Sequence, residues 1–397
     1  MVEFYKTKLN GLTILFERRN LPIATIMIAT KLGAAYEVEK EKGIAHFTEH
    51  MLFKGSKKRT QKEISSSIEK AGGILNGFTA EQVTAFWCKI PSKKASLGME
   101  ILFDMFANPK FDRKELEKEK EVIVAEINRK HDTPKHFLFD KVKELLYRKP
   151  FALSILGSEG TVRAMTRNNL VRWHSYYNRE NCIVTVVGKA DLEEIKKFTN
   201  QIKSRTFYFP NLKIASLKRN LEFIEKRENI DQAHLAMAFC VPKLSDKGRY
   251  AAELFNTILG SGMSSRLFQE IREKRGLAYE IKSFVESEKD YGYCVIYTGT
   301  SKKNIKKIKE LVLQEIKKLK NLELKDLEEA KEQCIGNWEL ELEDSLKTAT
   351  WLTLQEIATR AEDFYDYYKK ISAVKLEEVR AIAKIRNYVF AAIVPKD

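Results

Sequence analysis

The sequence predicts an α+β fold made of two structurally similar α+β domains, and three observations support this prediction. The chain has 397 residues, which exceeds the usual size of one domain, so two hydrophobic cores are expected. In both halves, apolar residues recur first with the period of strands and then with the period of helices. One stretch in each half is similar in sequence, which indicates an internal duplication.

The first half begins with a predicted hairpin. Residues 4–17 alternate between apolar and polar around Asn10-Gly11, a strong signal for a two-residue hairpin turn. The other predicted elements of this half are a strand at 23–32, helices at 43–53 and 61–70, strands at 74–79 and 84–90, helices at 93–106 and 113–130, a strand at 182–187 and a helix at 192–204.

Residues 206–218, which include Pro210, are predicted to link the two halves. Beyond them a strand is expected at 235–240, then a helix ending at Gly260, two strands flanking Lys289-Asp290 and two long helices.

The internal match joins residues 111–120 to residues 322–331, an offset of 211 positions. In this register Glu119 aligns with Ala330 and Glu126 with Asn337. If the halves are duplicates, the second has kept the scaffold and lost these carboxylates. The alternative is that two helices rich in Lys and Glu look alike because of their composition.

Charge and composition narrow the range of partners and locations that this protein can have. The formal net charge of +15 is compatible with a nucleic acid, an acidic peptide substrate or an anionic surface as partner. Most lysines lie in mixed runs such as residues 114–120, which are typical of solvated helix faces and disfavour nucleic-acid binding. The N-terminus lacks the pattern of a secretory signal and no apolar stretch reaches membrane-spanning length, so we expect a cytoplasmic protein without a membrane partner.

One short motif carries candidate chemistry. His46-Phe47-Thr48-Glu49-His50 lies in a predicted helix, where residues four apart stack on one face, so both imidazoles can reach the same metal ion. Glu49 is placed to act on a water molecule without being a ligand itself. The order is inverted relative to His-Glu-x-x-His, but the spacing on the helix face is equivalent. The motif therefore predicts half of a catalytic zinc site, which needs a third protein ligand.

Glu126 is our candidate for the third ligand. It lies on the predicted helix 113–130, and Glu119 lies two turns earlier on the same face, where it could orient a ligand. The alternative is that both are ordinary surface glutamates, and this highly charged helix does not by itself exclude that reading.

A family resemblance bears on this choice. The pattern His-x-x-Glu-His, followed by a glutamate 76 residues after His50, resembles that of the pitrilysin and insulysin family of inverted-motif zinc peptidases. The likeness covers nearly the whole chain and looks closest to the short, two-domain branch that includes mitochondrial processing peptidase and its prokaryotic relatives. Residues 43–45 before the motif and 51–55 after it also resemble that branch. The resemblance implies Zn²⁺ bound by His46, His50 and Glu126.

The resemblance also implies a substrate-binding strand. Residues 73–79 resemble the segment that leads into an exposed edge strand, to which a peptide substrate adds as a further strand. Asn76, Gly77 and Phe78 are the candidate contacts, and Gly77 stands where alanine is common in the family. The alternative is an ordinary hairpin strand.

In the second half, residues 259–268 and 272–279 resemble the family's non-catalytic domain. There an arginine and a tyrosine seven positions apart reach the substrate, and Arg272 and Tyr279 have this spacing. They are expected to hydrogen-bond the substrate carbonyl or the oxyanion. Arg275 and Arg266 are alternatives for the same charge.

The implied architecture is a clamshell around a central cavity. Residues 1–205 are expected to form the catalytic zinc-binding domain, and residues 219–397 the homologous non-catalytic domain that carries Arg272 and Tyr279. Glu49 is expected to take a proton from the attacking water and return it to the leaving amine.

The expected function is a zinc-dependent endopeptidase that hydrolyses short or unfolded peptides, as a homodimer or as a heterodimer with a related subunit. Two rivals are a catalytically idle structural or partner subunit on the same fold, and an anion- or nucleic-acid-binding protein. The presence of all four active-site residues argues against the first rival.

Overall fold

The computed structural model describes residues 3–205, 212, 216 and 219–396. Contacts divide the chain into two compact units. Unit 1 contains the described residues of Met1–Asn128, Leu153–Lys213 and Glu341–Phe364, and unit 2 contains those of Arg129–Ala152, Ile214–Leu340 and Tyr365–Asp397. The predicted linker, 206–218, lies outside the described residues except for positions 212 and 216.

Strands and helices occur in both units. The strands are β1 (Glu3–Leu9), β2 (Leu12–Arg18), β3 (Ile23–Thr30), β4 (Ile74–Thr79), β5 (Thr84–Pro91), β6 (Cys182–Gly188), β7 (Leu221–Arg227), β8 (Ala233–Cys240), β9 (Ala278–Ser287), β10 (Gly292–Thr300) and β11 (Val389–Pro395). The helices are α1 (Ile44–Leu52), α2 (Gln61–Glu69), α3 (Ala95–Ala107), α4 (Arg113–Asp132), α5 (Pro134–Leu146), α6 (Glu159–Ala164), α7 (Arg167–His174), α8 (Leu192–Thr199), α9 (Arg249–Gly260), α10 (Ile305–Lys318), α11 (Leu324–Leu342), α12 (Ser345–Ala358), α13 (Tyr367–Ser372) and α14 (Leu376–Ile382).

Unit 1 is built on a six-stranded sheet in the order β1-β2-β6-β3-β5-β4. Asn10 and Gly11 have φ values of 46° and 91°, as the predicted tight turn between β1 and β2 requires. Strands β2 and β6 are parallel and the other pairs are antiparallel. Strand β4 ends this order, so its outer side is a sheet edge among the described residues.

The two faces of this sheet pack against different helices. Successive side chains of a strand point to opposite faces, and Ile26 belongs to the hydrophobic core that includes helix α3. On the other face Thr25 Oγ1 is 2.8 Å from Ser345 Oγ, and Thr185 Oγ1 is 2.7 Å from Thr353 Oγ1. Helix α12, which is remote in sequence, therefore covers this face and satisfies its buried hydroxyls.

Unit 2 is built on a five-stranded sheet in the order β7-β11-β8-β10-β9. Strands β7 and β11 are parallel and the other pairs are antiparallel. This order and these directions match β2-β6-β3-β5-β4 of unit 1. Helix α5, which precedes the linker in sequence, packs against β8 and β11.

The helix positions follow the predicted duplication. Helices α4 and α11 begin at Arg113 and Leu324, and helices α5 and α12 begin at Pro134 and Ser345. Both pairs are offset by the 211 residues read from the sequence. The two-domain α+β fold is thus confirmed, with one refinement: each unit also contains a segment from the other half of the chain. Within the described part of the chain, no helix combines the length and apolar character that a bilayer crossing requires.

Candidate metal centre

Helix α1 carries the histidine motif, and its start is fixed by buried polar contacts. Gly43 precedes the helix with a φ of 97°, and a Cβ there would lie 2.5 Å from the Leu156 carbonyl oxygen. The Glu37 carboxylate accepts hydrogen bonds from the backbone N–H groups of Gly43 (2.9 Å) and Ala45 (2.8 Å). These contacts satisfy donors at the helix N-terminus, where negative charge is favourable.

Glu37 also pairs with a buried lysine. The Lys42 ammonium lies 3.3 Å from Glu37 Oε2 and donates a hydrogen bond to the Ala34 carbonyl oxygen at 2.7 Å. Burial raises the pKa of Glu37 to about 7, although Lys42 and the two backbone N–H groups act in the opposite direction. The buried carboxyl group of Glu37 and the Lys42 ammonium therefore lie together beside the start of α1.

Three predicted ligand atoms converge at one point in unit 1. His46 Nε2 and His50 Nε2 are 3.1 Å apart, since the two residues are one helical turn apart on α1. Glu126 Oε2 on helix α4 is 3.7 Å from His46 Nε2 and 3.6 Å from His50 Nε2. These three atoms lie close enough together to bind one metal ion. His46 is buried, whereas His50 and Glu126 are half-buried, so the point is accessible from one side.

The donor set fits zinc. Ligand atoms 2.0–2.1 Å from a tetrahedral zinc ion are about 3.3 Å apart, and the three observed separations lie close to that value. Two imidazoles and one carboxylate are a known ligand set for catalytic zinc, and three protein ligands leave a fourth position open. The side chains are therefore arranged to hold zinc without large movement.

Glu119 supports this group from helix α4. It is buried, and its Oε1 lies 2.9 Å from His50 Nδ1 while its Oε2 lies 2.6 Å from the Lys54 ammonium. Burial by itself would raise the pKa of Glu119, but the hydrogen bonds from His50 and Lys54 outweigh it and hold the pKa below its usual value. An ionised carboxylate can only accept, so His50 Nδ1 carries a proton and His50 Nε2 is the ring nitrogen that faces the other two donors.

Glu49 is turned towards strand β4 rather than into the ligand group. Its Oε2 accepts a hydrogen bond from Thr79 Oγ1 at 2.5 Å. Burial raises its pKa above the usual value; Thr79 and nearby His50 oppose the rise, and Glu126 adds to it. A Cβ at position 77 would lie 3.1 Å from Glu49 Oε1, so Gly77 leaves the space that this carboxylate occupies.

The candidate substrate residues lie on the edge strand β4. Asn76 is exposed, and Gly77 and Phe78 are half-buried. The Gly77 N–H donates to Asn76 Oδ1 at 2.8 Å. A further strand added at this edge would compete with Asn76 Oδ1 for this N–H.

Arg272 and Tyr279 belong to unit 2, where they contact each other. The Arg272 guanidinium lies 5.3 Å from the centre of the Tyr279 ring, and Tyr279 is 80% exposed. Arg272 sits in a short π-helical segment, Phe268–Glu273, a feature often found at functional sites.

The two alternative arginines are engaged with carboxylates. Arg275 binds Glu270, and Arg266 Nη2 lies 3.1 Å from Asp326 Oδ2. The nearest carboxylate to Arg272, that of Glu273, is 3.7 Å away. Of the three arginines, Arg272 therefore has the longest distance to a carboxylate.

Sequence reasoning missed Lys54, Thr79 and Glu37. Lys54 could have been found, because it follows His50 by the same four residues that separate His50 from His46. Thr79 and Glu37 depend on contacts between elements, and no spacing rule points to them.

Two family descriptions match consecutive parts of the chain. Residues 13–159 match "Insulinase (Peptidase family M16)" and residues 164–334 match "Peptidase M16 inactive domain". A protein of Bacillus subtilis described as an uncharacterized zinc protease is 30% identical over 399 residues, which covers 97% of each chain. This chain belongs to peptidase family M16. A similarly described protein of Rickettsia bellii is 34% identical over 77% of this M16 chain and 78% of its own length.

Solved structures share the M16 fold. A protease from Helicobacter pylori has a TM-score of 0.92 with 20% sequence identity, covering 100% of both chains. A structure from Pseudomonas fluorescens described as a peptidase M16 inactive domain has a TM-score of 0.88 with 19% identity, covering 100% of this chain and 98% of the other. At these identities the likeness establishes the fold alone. The family match described as an inactive domain, residues 164–334, lies mainly in the second half of the chain. In that half Ala330 and Asn337 align with Glu119 and Glu126.

Proposed function

We propose that this M16 chain is a zinc-dependent endopeptidase that hydrolyses short or unfolded peptides with water as the nucleophile. The observation that carries the proposal is the convergence of His46 Nε2, His50 Nε2 and Glu126 Oε2 within 3.1–3.7 Å of one another. The buried Glu119 carboxylate beside His50 and the separate Glu49 carboxylate complete the set that such chemistry needs.

The three ligand side chains are proposed to hold zinc, and Glu119 to fix the His50 tautomer. Zinc bound there supplies Lewis acidity, which makes a nearby water molecule more acidic and polarises the scissile carbonyl. Glu49 takes the proton from the attacking water and returns it to the amine that leaves. Its raised pKa suits a group that must both gain and release a proton near neutral pH. Thr79 orients this carboxylate through its hydrogen bond.

The substrate is proposed to bind as an added strand on β4. Asn76, Gly77 and Phe78 offer backbone groups at this edge, and ladder hydrogen bonds require an extended peptide but do not select its side chains. This requirement explains why short or unfolded chains are the expected substrates. Arg272 and Tyr279 are proposed to hydrogen-bond the substrate carbonyl or the oxyanion. Assembly as a homodimer, or with a related subunit, is proposed from the family resemblance.

The proposal is tested by a Glu49→Gln variant. Gln keeps the size of the side chain but cannot take up a proton, so peptide cleavage should fall by about 10²–10⁴-fold. Zinc content by mass spectrometry should stay at about one ion per chain. The matched control is Glu69→Gln, because Glu69 is an exposed glutamate on α2. Equal cleavage by the wild type and Glu49→Gln contradicts the assignment of the base, and wild-type protein that cleaves no peptide with zinc bound contradicts the peptidase function.

A further inference from the structure

A basic groove lies beside the candidate metal centre in unit 1. It has a volume of about 770 Å³ and is lined by the turn after helix α1, the start of α2 and the start of α4. Eight lysines and arginines line it, against three acidic residues: Lys54, Lys57, Lys58, Arg59, Lys62, Lys110, Lys114 and Lys118, with Glu63, Asp112 and Glu115. Basic residues thus outnumber acidic ones at this concave surface, which favours anionic partners.

The turn that forms this groove is rigidly held. Its backbone is hydrogen-bonded to the segment that follows helix α3. The Lys57 N–H donates to the Asn108 carbonyl oxygen (2.9 Å), and the Lys110 N–H donates to the Gly55 carbonyl oxygen (3.0 Å). The buried Asp104 carboxylate accepts from Ser56 Oγ at 2.6 Å and pairs with Arg59 Nη1 at 2.7 Å. The groove is therefore a pre-formed feature rather than a run of mobile side chains.

Arg59 forms an ion pair with Asp104 within this turn, whereas several lysines of the groove have no ion pair among the described residues. Among the residues that the structure describes, the ammonium groups of Lys57, Lys58, Lys62 and Lys114 have no carboxylate within ion-pair distance. Lysines that share a concave surface without counter-charges repel one another, and an anionic ligand relieves that repulsion.

The groove is connected to the metal centre through Lys54. This residue lines the groove, and its ammonium binds the same Glu119 carboxylate that holds His50. On helix α4, Lys118 and Lys114 precede Glu126 by eight and twelve residues, or about 12 and 18 Å at the rise of an α-helix. An extended peptide advances about 3.3 Å per residue, so these distances correspond to about four to six residues.

We propose that the basic groove binds acidic side chains of the polypeptide substrate, about four to six residues from the bond that is cleaved. An acidic peptide is favoured over nucleic acid because the groove lies beside a candidate peptidase site and carries charge without aromatic side chains on which bases could stack. This inference rests on the proposed peptidase function for its substrate, and it names the class of peptide that the site prefers.

Binding is measured first, because it does not depend on cleavage. Fluorescently labelled peptides that differ only in a block of four glutamates, glutamines or lysines are titrated into the full-length Glu49→Gln protein, and anisotropy gives Kd. The glutamate peptide should bind about tenfold more tightly than the glutamine peptide at low salt, and higher salt should reduce the difference. Lys57→Gln, Lys58→Gln and Lys62→Gln together should remove the tenfold preference.

The matched control removes three lysines from unit 2. Lys303, Lys306 and Lys307 are exposed, and their combined change to glutamine removes the same charge. This control should leave the glutamate preference within about twofold, since none of these three lysines lines the groove. Equal loss in both triple variants, or equal Kd for the glutamate and glutamine peptides, overturns the proposal. Tighter binding of a single-stranded oligonucleotide of equal charge, lost in the groove variant, also overturns it in favour of a nucleic-acid surface.

Cleavage then tests the distance. In a peptide series, a glutamate pair is moved one residue at a time away from a fixed cleavage site, and kcat/KM is measured. A maximum at four to six residues on one side, flattened in the groove variant through KM, supports the groove as the subsite. Cleavage that ignores the position of the glutamates contradicts the groove while leaving the peptidase proposal intact. Glutamate-dependent binding without any cleavage contradicts the peptidase proposal instead.

Discussion

Helices α4 and α11 occupy equivalent places in the two units, but they bury different side chains. Glu119 of α4 and Ala330 of α11 correspond in the 211-residue register, and both are almost fully buried. Alanine is a residue that burial favours, whereas a buried carboxylate is costly unless it is hydrogen-bonded. In unit 1 that cost is offset by His50 and Lys54. The scaffold therefore tolerates an apolar residue at this position, and the histidine beside Glu119 explains the carboxylate of unit 1.

The strongest test of this comparison removes a histidine from unit 1. His50→Ala deletes one of the three converging donors, so bound zinc should fall well below one ion per chain. Cleavage should decrease by more than about 10³-fold, because both the Lewis acid and its polarised water are lost. His234→Ala, which removes a histidine of unit 2, should leave the zinc content unchanged. Equal zinc content in the two variants contradicts a metal centre that depends on His50.

The next test concerns the buried pair that holds the start of α1. Glu37→Gln leaves the Lys42 ammonium buried without its counter-charge and sets an amide N–H₂ against backbone donors. Thermal unfolding should show a loss of about 3–5 kcal/mol. Because burial raises the pKa of Glu37 to about 7, ionisation destabilises the wild type, so this loss should become smaller as pH rises from about 5 to 8.

The double variant Glu37→Gln/Lys42→Met should recover part of the stability, because no charge is then left buried. A Glu37→Gln protein as stable as the wild type shows that the pair does not stabilise α1.

A smaller effect is expected from Glu119→Gln. The amide keeps the shape but is a weaker acceptor for His50 Nδ1–H and lacks the charge that pairs with Lys54, so zinc affinity should fall by about 10–100-fold. Competition with a chelator of known affinity measures this change. Glu121→Gln, on the same helix but exposed and paired with Arg163, should change zinc affinity by less than about twofold. Equal affinities for the wild type and Glu119→Gln contradict the supporting role.

The smallest effect is expected from Gly77→Ala, with Gly336→Ala as its control. Gly77→Ala places a Cβ 3.1 Å from Glu49 Oε1 and 3.0 Å from the Ala85 carbonyl oxygen, so Glu49 must shift by a few tenths of an ångström. We expect kcat to fall by about three- to tenfold at unchanged zinc content, since displacing a base costs on the order of 1 kcal/mol. Gly336→Ala on α11 meets no atom within 4 Å and should instead stabilise the helix by about 0.5–1 kcal/mol. An unchanged kcat in Gly77→Ala shows that Gly77 does not position Glu49.

The sequence predicted those parts of the molecule that depend on local spacing. The Asn10-Gly11 turn, the strands on either side of it and the convergence of His46 with His50 all follow from the period of a strand or a helix. The 211-residue register also predicted where α4 and α11 begin.

The parts that the sequence did not predict depend on contacts between remote segments. Strands β7 and β11 were not predicted, and β11 joins its sheet between β7 and β8, which lie far away in the chain. The same limitation applies to α12, whose hydroxyl groups pair with Thr25 and Thr185 of the first half. In the candidate site, Thr79 and Glu37 act through such contacts and carry no spacing signal of their own.

A crystal structure of the zinc-loaded protein, with anomalous diffraction recorded on both sides of the zinc absorption edge, tests the metal centre most directly. We expect one strong anomalous peak in unit 1, about 2.0–2.2 Å from His46 Nε2, His50 Nε2 and a carboxylate oxygen of Glu126. A peak at another group of residues, or one bound by the two histidines with Glu126 turned away, would contradict it.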